Sequence, residues 1–217
     1  MLQNVIFDLD GTLLNTIDDI AAAGNWVCER NGWPTFSTEE FKLMVGHGIP
    51  NLVYSFTPEN LRTDDIIAGA RAQFSARYAA HREDKTAPYD GIEAMLRTLR
   101  TNGVKCTVFS NKADALCQIL IRDYFGDAIA AVRGQVGTTP LKPDPTGLLA
   151  LMAAEKMDPA STVFVGDSNV DMETAANANI PAIAVLWGFR SKEELTAAGA
   201  TTFAETPAAL AELLIAK

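Results

Sequence analysis

The side chains best placed to do chemistry begin in Val5-Ile6-Phe7-Asp8-Leu9-Asp10-Gly11-Thr12-Leu13-Leu14, where two carboxylates flank one residue directly after a short apolar run. Val5 to Phe7 reads as a strand buried on both faces of a parallel sheet. Asp8 and Asp10 then fall at its tip. At the carboxyl ends of strands in open α/β sheets the loops leave a crevice lined by helix N-termini, and ligands bind there. The same residues also suit a solvated turn, because Asp and Gly are ordinary turn formers, and ten residues alone do not separate the two readings. Three later stretches add a hydroxyl, an ammonium and more acid. Ser110-Asn111-Lys112 follows an apolar strand ending at Phe109, and Leu141-Lys142-Pro143-Asp144-Pro145 precedes a helix. Gly166-Asp167-Ser168-Asn169-Val170-Asp171 follows Val163-Phe164-Val165. Each alone is common loop chemistry; together, each at a predicted strand tip or helix start, they form a strong signal.

In this order the stretches resemble the haloacid dehalogenase superfamily, whose phosphatases carry DxDGT, then Ser or Thr, then Lys, then GDxxxD. The match runs from Asp8 to Asp171. The resemblance implies that Asp8 is the nucleophile and a metal ligand, and that Asp10 is the acid/base and binds metal through its backbone carbonyl. It further implies Asp167 as a ligand and Asp171 as a ligand or an orienting group of the metal shell. Ser110 and Lys142 complete the expected catalytic set, by hydrogen-bonding and neutralising the phosphoryl group. A phosphate monoester dianion beside four carboxylates is strongly repelled, since two unit charges ~4 Å apart interact by ~4 kcal/mol even at an effective dielectric near 20. Lys142 alone cannot balance that charge. A divalent cation is implied, and an all-oxygen ligand set with a phosphate partner favours Mg²⁺. A carboxylate nucleophile divides the hydrolysis into two displacements through an aspartyl-phosphate.

The segment Val185-Leu186-Trp187-Gly188-Phe189-Arg190, the Ser110-Asn111-Lys112 triplet and a small helical cap after Leu14 look most like the phosphoglycolate phosphatase branch. That points to a Mg²⁺-dependent phosphatase of small phosphorylated metabolites, with 2-phosphoglycolate the first substrate to test. Thr12, Asn111, Lys112, His47 and Gly48 are the expected substrate-binding residues. His47 lies between two glycines that let backbone approach a ligand closely, and a loop histidine with no role fits equally well. Trp187 to Arg190 can border the site or pack the sheet edge. Phe74 and Tyr78 read as cap core, and His81 as surface or packing. A sugar-phosphate mutase shares the same chemistry, and a non-catalytic phosphometabolite-binding protein would bind without turnover. Phosphonate hydrolysis would need a cap lysine, for which Lys42 is the candidate, and nothing around Lys42 suggests that role.

The elements that must position these residues follow from the chain's rhythm. Apolar residues at helical spacing fill 15–86, with starts at Thr16, at Ser37-Thr38-Glu39-Glu40 and near Thr63. A helix opened by Asp90-Gly91 then leads to a strand over 104–109. Helices over 113–123 and 146–156 lead to strands over 129–132 and 162–165. A helix over 172–178, a strand over 182–186, a helix near 193–198, a strand over 200–203 and a helix from Pro207 complete the pattern. Alternation of this kind indicates right-handed βαβ crossovers. The expected fold is α/β: a Rossmann-like, doubly wound parallel sheet of residues 1–14 and 87–217, interrupted by an α-helical cap of residues 15–86.

The chain has 217 residues, 48% of them hydrophobic, and a formal charge of −9. That charge argues against nucleic acid, whose phosphates need a basic footprint. Cys28, Cys106 and Cys117 show no ligand spacing and read as reduced, buried thiols. No apolar run is long enough for a bilayer. The expectation is a cytoplasmic monomer or homodimer with a small phosphorylated metabolite as its partner.

Overall fold

The computed structural model describes residues 2–216. Strand β1 (Asn4–Phe7) is buried throughout. After β2 (Leu14–Asn15) come four helices, α1 (Ile17–Asn31), α2 (Thr38–Met44), α3 (Gly48–Phe56) and α4 (Asp64–His81). Beyond β3 (Ala87–Pro88) helices and strands alternate: α5 (Ile92–Thr101), β4 (Lys105–Ala113), α6 (Asp114–Tyr124), β5 (Ala131–Gln135), α7 (Thr146–Ala154) and β6 (Thr162–Gly166). The last elements are α8 (Asn169–Asn177), β7 (Ala182–Val185), α9 (Lys192–Ala197), β8 (Phe203–Ala204) and α10 (Pro207–Ile215). Six strands form one parallel sheet in the order β5-β4-β1-β6-β7-β8. The fold is α/β, Rossmann-like and doubly wound.

The alternation of side chains along β1 explains the two helical layers. Val5 and Phe7 point into a core shared with Leu96 and Leu99 of α5, Leu120 of α6 and Leu210 of α10. Ile6 points the other way, onto Leu148 and Met152 of α7 and Ala175 of α8. Burying each large side chain such as Phe7 or Phe164, both fully inaccessible, contributes about 1.5–3 kcal/mol. A strand covered on both faces must therefore be apolar in every position, as Val5 to Phe7 is.

The register sets the site. Phe7 pairs with Val108 on one side and Val165 on the other, so Asp8, Ser110 and Asp167 follow within two residues of one level on three adjacent strands. The strand order reverses about β1, which is the switch point where such sheets open a crevice.

Several boundaries differ from the pattern-based expectation. β4 runs on to Ala113 because it resumes pairing with β5 beyond an irregularity, Ala113 opposite Gln135. β5 lies two to three residues later than expected: as the edge strand it takes its register from β4, and half-exposure admits Arg133 and Gln135. α8 starts at Asn169 rather than 172, since Ser168 caps it by accepting from Asp171 N–H while the Asp171 side chain accepts from Ser168 N–H. The apolar segment from Ile49 to Phe56 is a helix. Thr16 stands at the N-cap of α1, but its side chain makes no cap hydrogen bond.

The chain divides into two compact units, Met1–Leu14 with Pro88–Lys217, and Asn15–Ala87. The helical unit has its own aromatic core, in which successive ring centroids from Phe36 through Phe41, Phe56 and Phe74 to Tyr78 are 6.1, 6.2, 6.2 and 5.7 Å apart. Asp19, a first-turn acid by sequence, is a buried latch. Its carboxylate accepts from Lys85 N–H (3.0 Å), Thr86 N–H (2.8 Å) and the Thr86 hydroxyl (2.8 Å), tying the start of this unit to its end. Among the described residues no helix is long and apolar enough to cross a membrane.

Candidate active site

Asp8 follows the last residue of β1, and its N–H donates to Val165 O (2.9 Å), which locks the strand tip to β6. Asp167 follows β6. Asp171 lies one turn into α8, where its capping role turns the carboxylate back toward the sheet. Asp8, Asp167 and Asp171 each offer a carboxylate oxygen, all within 4.8 Å of one another, and all three residues are buried.

Lys142, 3% exposed, reaches into this group. Its ammonium lies 2.6 Å from Asp171 Oδ1 and 3.0 Å from Asp8 Oδ1. Burial alone would lower the Lys142 ammonium, but Asp171 and Asp8 more than reverse this and hold it above its ordinary value. Asp171 Oδ2 accepts from Ser168 N–H (3.0 Å) and the Ser168 hydroxyl (2.7 Å), so both of its oxygens are engaged. Asp8 Oδ1 is different: it is buried and no donor is aligned to hydrogen-bond it, Lys142 meeting it only as an ion pair.

The remaining core residues expected at the site take partners within the protein. Lys112 Nζ donates to both oxygens of Asp10, at 2.8 and 3.0 Å, in a nearly buried pair. The Asn111 side chain donates to Lys142 O (3.1 Å) and accepts from Lys142 N–H (2.7 Å), which fixes the backbone that carries the ammonium. Thr12 donates its hydroxyl to Asp167 Oδ1 (2.7 Å). Ser110, 4% exposed, accepts from Lys112 N–H at 3.4 Å. Asp8, Asp10, Thr12, Asn111, Lys112, Lys142, Asp167 and Asp171 are thus drawn into linked contacts at the tips of β1, β4 and β6. His47 and Gly48 belong to the helical unit, where His47 precedes α3 and Gly48 begins it with φ +79°. Lys42 pairs with Glu39 at 2.8 Å.

Of the two places the sequence allowed for Trp187 to Arg190, the loop takes the one bordering the acids. Phe189 N–H donates to Asp167 Oδ2 (2.8 Å), and Trp187 Nε1 donates to Thr12 O (2.9 Å). Between them, Gly188 passes so close that a Cβ there would lie 2.2 Å from Asp167 Cβ. Gly11, at φ +83°, is equally constrained, a Cβ meeting Asp167 Oδ2 at 2.2 Å. The Trp187-Gly188 pair was the available signal, but nothing local ties it to Asp167. Burial raises the Tyr89 phenol, and Asp167 and Asp10 raise it further. Ser168 was recognisable only from its Ser-x-x-Asp spacing.

The donor set fits a hard divalent cation. When fully ionised, the four carboxylates (Asp8, Asp10, Asp167, Asp171) outnumber the two ammonium groups paired with them (Lys112, Lys142) by two charges. Asp8, Asp167 and Asp171 present only oxygen, and Asp8 Oδ1 is a buried acceptor with no aligned donor. Such a site matches Mg²⁺ in charge and ligand type. Burial pushes the Asp8 carboxyl up to about 6 against the pull of Lys142, and burial, helped by Asp171 and Asp8, pushes Asp167 up to about 8.

These shifts set a pH dependence. Below 3.8, the ordinary value, both carboxyls are protonated whether the chain is folded or not. Between there and about 6 for Asp8 or about 8 for Asp167, the unfolded chain has released protons that the folded chain still holds. Stability of the metal-free protein therefore falls as pH rises through that window. Urea midpoints measured after chelation are expected to drop from pH 5 to pH 8. Added Mg²⁺ is expected to restore more at pH 8, because ligands bind metal deprotonated. A metal-free midpoint that climbs over this range would contradict the assignment.

Comparison with known proteins places this geometry. A family model described as haloacid dehalogenase-like hydrolase matches residues 5–185. The phosphoglycolate phosphatase of Caulobacter vibrioides is 32% identical over 222 residues, covering 97% of this chain and 91% of that protein. The phosphoglycolate phosphatase of Cereibacter sphaeroides is 33% identical, covering 87% of each. A crystal structure from Lactobacillus delbrueckii subsp. bulgaricus, provisionally named a phosphoglycolate phosphatase, superposes with a TM-score of 0.93 at 29% identity over 99% of both chains. CbbY of Rhodobacter sphaeroides, solved in complex with phosphate, shares the fold, with a TM-score of 0.79 at 21% identity over 96% of both chains.

Proposed function

We propose, from the premise that this chain belongs to the haloacid dehalogenase-like hydrolase family and is a phosphoric monoester hydrolase, that it hydrolyses a small phosphate monoester with Mg²⁺ through an aspartyl-phosphate on Asp8. 2-Phosphoglycolate is the leading substrate, because relatives that cover most of the chain carry that activity in their names. The observation that carries the reading is the buried group of Asp8, Asp167 and Asp171 around one ammonium, with Asp8 Oδ1 lacking an aligned donor.

The chain's own residues then act as follows. A carboxylate oxygen of Asp8 attacks phosphorus in line with the ester bond, forming an acyl phosphate as the bond to the alcohol oxygen breaks. Asp10 gives that oxygen a proton. In the second half Asp10 takes a proton from water, whose oxygen attacks phosphorus and returns Asp8 as a carboxylate with release of inorganic phosphate. Lys112 holds the Asp10 side chain in place, and Asn111 holds the backbone of Lys142. Lys142 and Ser110 stabilise charge on the phosphoryl oxygens, a preorganised electrostatic role. Bound Mg²⁺, held by Asp8, Asp167, Asp171 and the Asp10 carbonyl, would supply the two missing positive charges. Asp171 binds the metal or orients its shell, while its oxygens also accept from Lys142 and Ser168.

The proposal includes the division expected from the chain: a catalytic core of 1–14 and 87–217, and a helical cap of 15–86 with His47 and Gly48 as its substrate-binding candidates. It also includes a cytoplasmic location, which suits three unpaired, buried cysteines. Inorganic phosphate release from a panel of phosphate esters, with Mg²⁺ and with EDTA, tests it. The expected result is Mg²⁺-dependent release, fastest from 2-phosphoglycolate. Isomerised sugar phosphate without phosphate release would indicate a mutase, and phosphate binding without turnover a binding protein.

A further inference from the structure

The loop after β7 is tied to Asp167 through a linked chain of hydrogen bonds. Trp187 Nε1–H donates to Thr12 O (2.9 Å), the Thr12 hydroxyl donates to Asp167 Oδ1 (2.7 Å), and Phe189 N–H donates to Asp167 Oδ2 (2.8 Å). Gly188, between Trp187 and Phe189, lies against the Asp167 side chain with no room for a Cβ. Asp167 is 1% exposed, so no bulk water substitutes for these donors.

We propose that Trp187 is a positioning residue for metal binding. Its indole N–H holds the Asp8–Thr12 loop against Asp167, so that the carboxylates of Asp8 and Asp167 stay at ligand spacing. This rests on the Mg²⁺ reading of the site. The physical argument is that Asp8 and Asp167 repel each other and must be kept close before any cation arrives. The Thr12 hydroxyl reaches Asp167 only while its own backbone is in place; the N–H groups of Leu13 and Leu14, both 3.0 Å from Leu9 O, shape the turn, and the Trp187 N–H ties it to the loop after β7. An indole is well suited to this role, because it donates one hydrogen bond in a rigid direction, accepts none, and packs its apolar face against the core. Outer groups that orient ligands commonly change metal affinity by 10–100-fold.

Direct Mn²⁺ binding, read from the electron paramagnetic resonance of free Mn²⁺, tests this independently of turnover. Trp187→Phe keeps most of the ring packing but loses the N–H, and is expected to weaken Mn²⁺ binding about tenfold. Its Mg²⁺ activation constant should rise in step while kcat at saturating Mg²⁺ stays close to native. Thr12→Val should weaken Mn²⁺ similarly, and the double variant no further than the single ones, because all break one chain. Trp187→His, which keeps a ring N–H, should bind more tightly than Trp187→Phe and remains informative where the Phe variant fails to fold. A Trp187→Phe protein with native Mn²⁺ affinity, or losses that multiply in the double variant, would overturn the role of Trp187. A native protein that binds no Mn²⁺ at all would overturn the metal reading beneath it, and this role with it.

Discussion

Asp8→Asn lowers phosphate release by about 10⁴–10⁶-fold, the scale on which removing a nucleophile acts in enzymes that use one, while the protein remains folded. The amide is nearly the same size and shape as the carboxylate, so the packing around the β1 tip is kept. It cannot donate an electron pair to phosphorus at a useful rate, and no neighbouring carboxylate is placed to substitute: Asp171 is committed to Lys142 and Ser168, and Asp167 to Thr12 and Phe189. Stability moves the other way. Burial makes the Asp8 charge costly in the metal-free protein, and the substitution removes it while Lys142 keeps its bond to Asp171. The metal-free variant is therefore expected to unfold at the native urea midpoint or above it at pH 8. Stopped assays over hours and urea curves measure both; activity within tenfold of native would remove Asp8 from the nucleophile's role.

Lys142→Met produces the other large effect, on both activity and stability. Among the described residues the ammonium is the one positive group seen to touch both Asp8 and Asp171, at 3.0 and 2.6 Å, and methionine fills a similar volume without charge. Removing one partner of a buried ion pair typically costs about 3–5 kcal/mol, because the other charge stays behind. Here two stay behind. The urea midpoint of the metal-free variant is expected to collapse at pH 8 and to recover in part at pH 5, where protonation of Asp8 and Asp167 relieves the repulsion. Turnover in Mg²⁺ falls by about 10²–10³-fold, the size seen when one preorganised donor is lost from a charged transition state. Lys142→Arg is not expected to rescue it, since a planar guanidinium cannot occupy a pocket shaped for a compact ammonium. Native-like stability of Lys142→Met across this pH range would mean that the ion pair seen here does not hold the site together.

The amino-acid sequence by itself determined the α/β architecture and singled out the candidate residues of the site. A strand buried on both faces has to be apolar throughout, so Val5 to Phe7 and Val163 to Val165 announced themselves, as did the tips that follow them. The alternation of strands and helices indicated right-handed crossovers in a doubly wound sheet, while the strand order that makes β4, β1 and β6 neighbours came from the structure. Local chemistry also marked the capping box at Ser37, while the one at Ser168 lay in plain letters inside a motif already assigned to catalysis. What only the tertiary structure decided is who holds whom. Lys112 meets Asp10 across 102 residues, Asn111 meets the backbone of Lys142 across 31, and Trp187 meets Thr12 across 175. Asp19, in letters an ordinary first-turn acid, closes the helical unit by bonding Lys85 and Thr86. Such pairings depend on strand order and on the path of each loop in three dimensions. A hydrogen bond needs its partners placed to within a few tenths of an ångström, and periodicity along a chain carries no information at that scale.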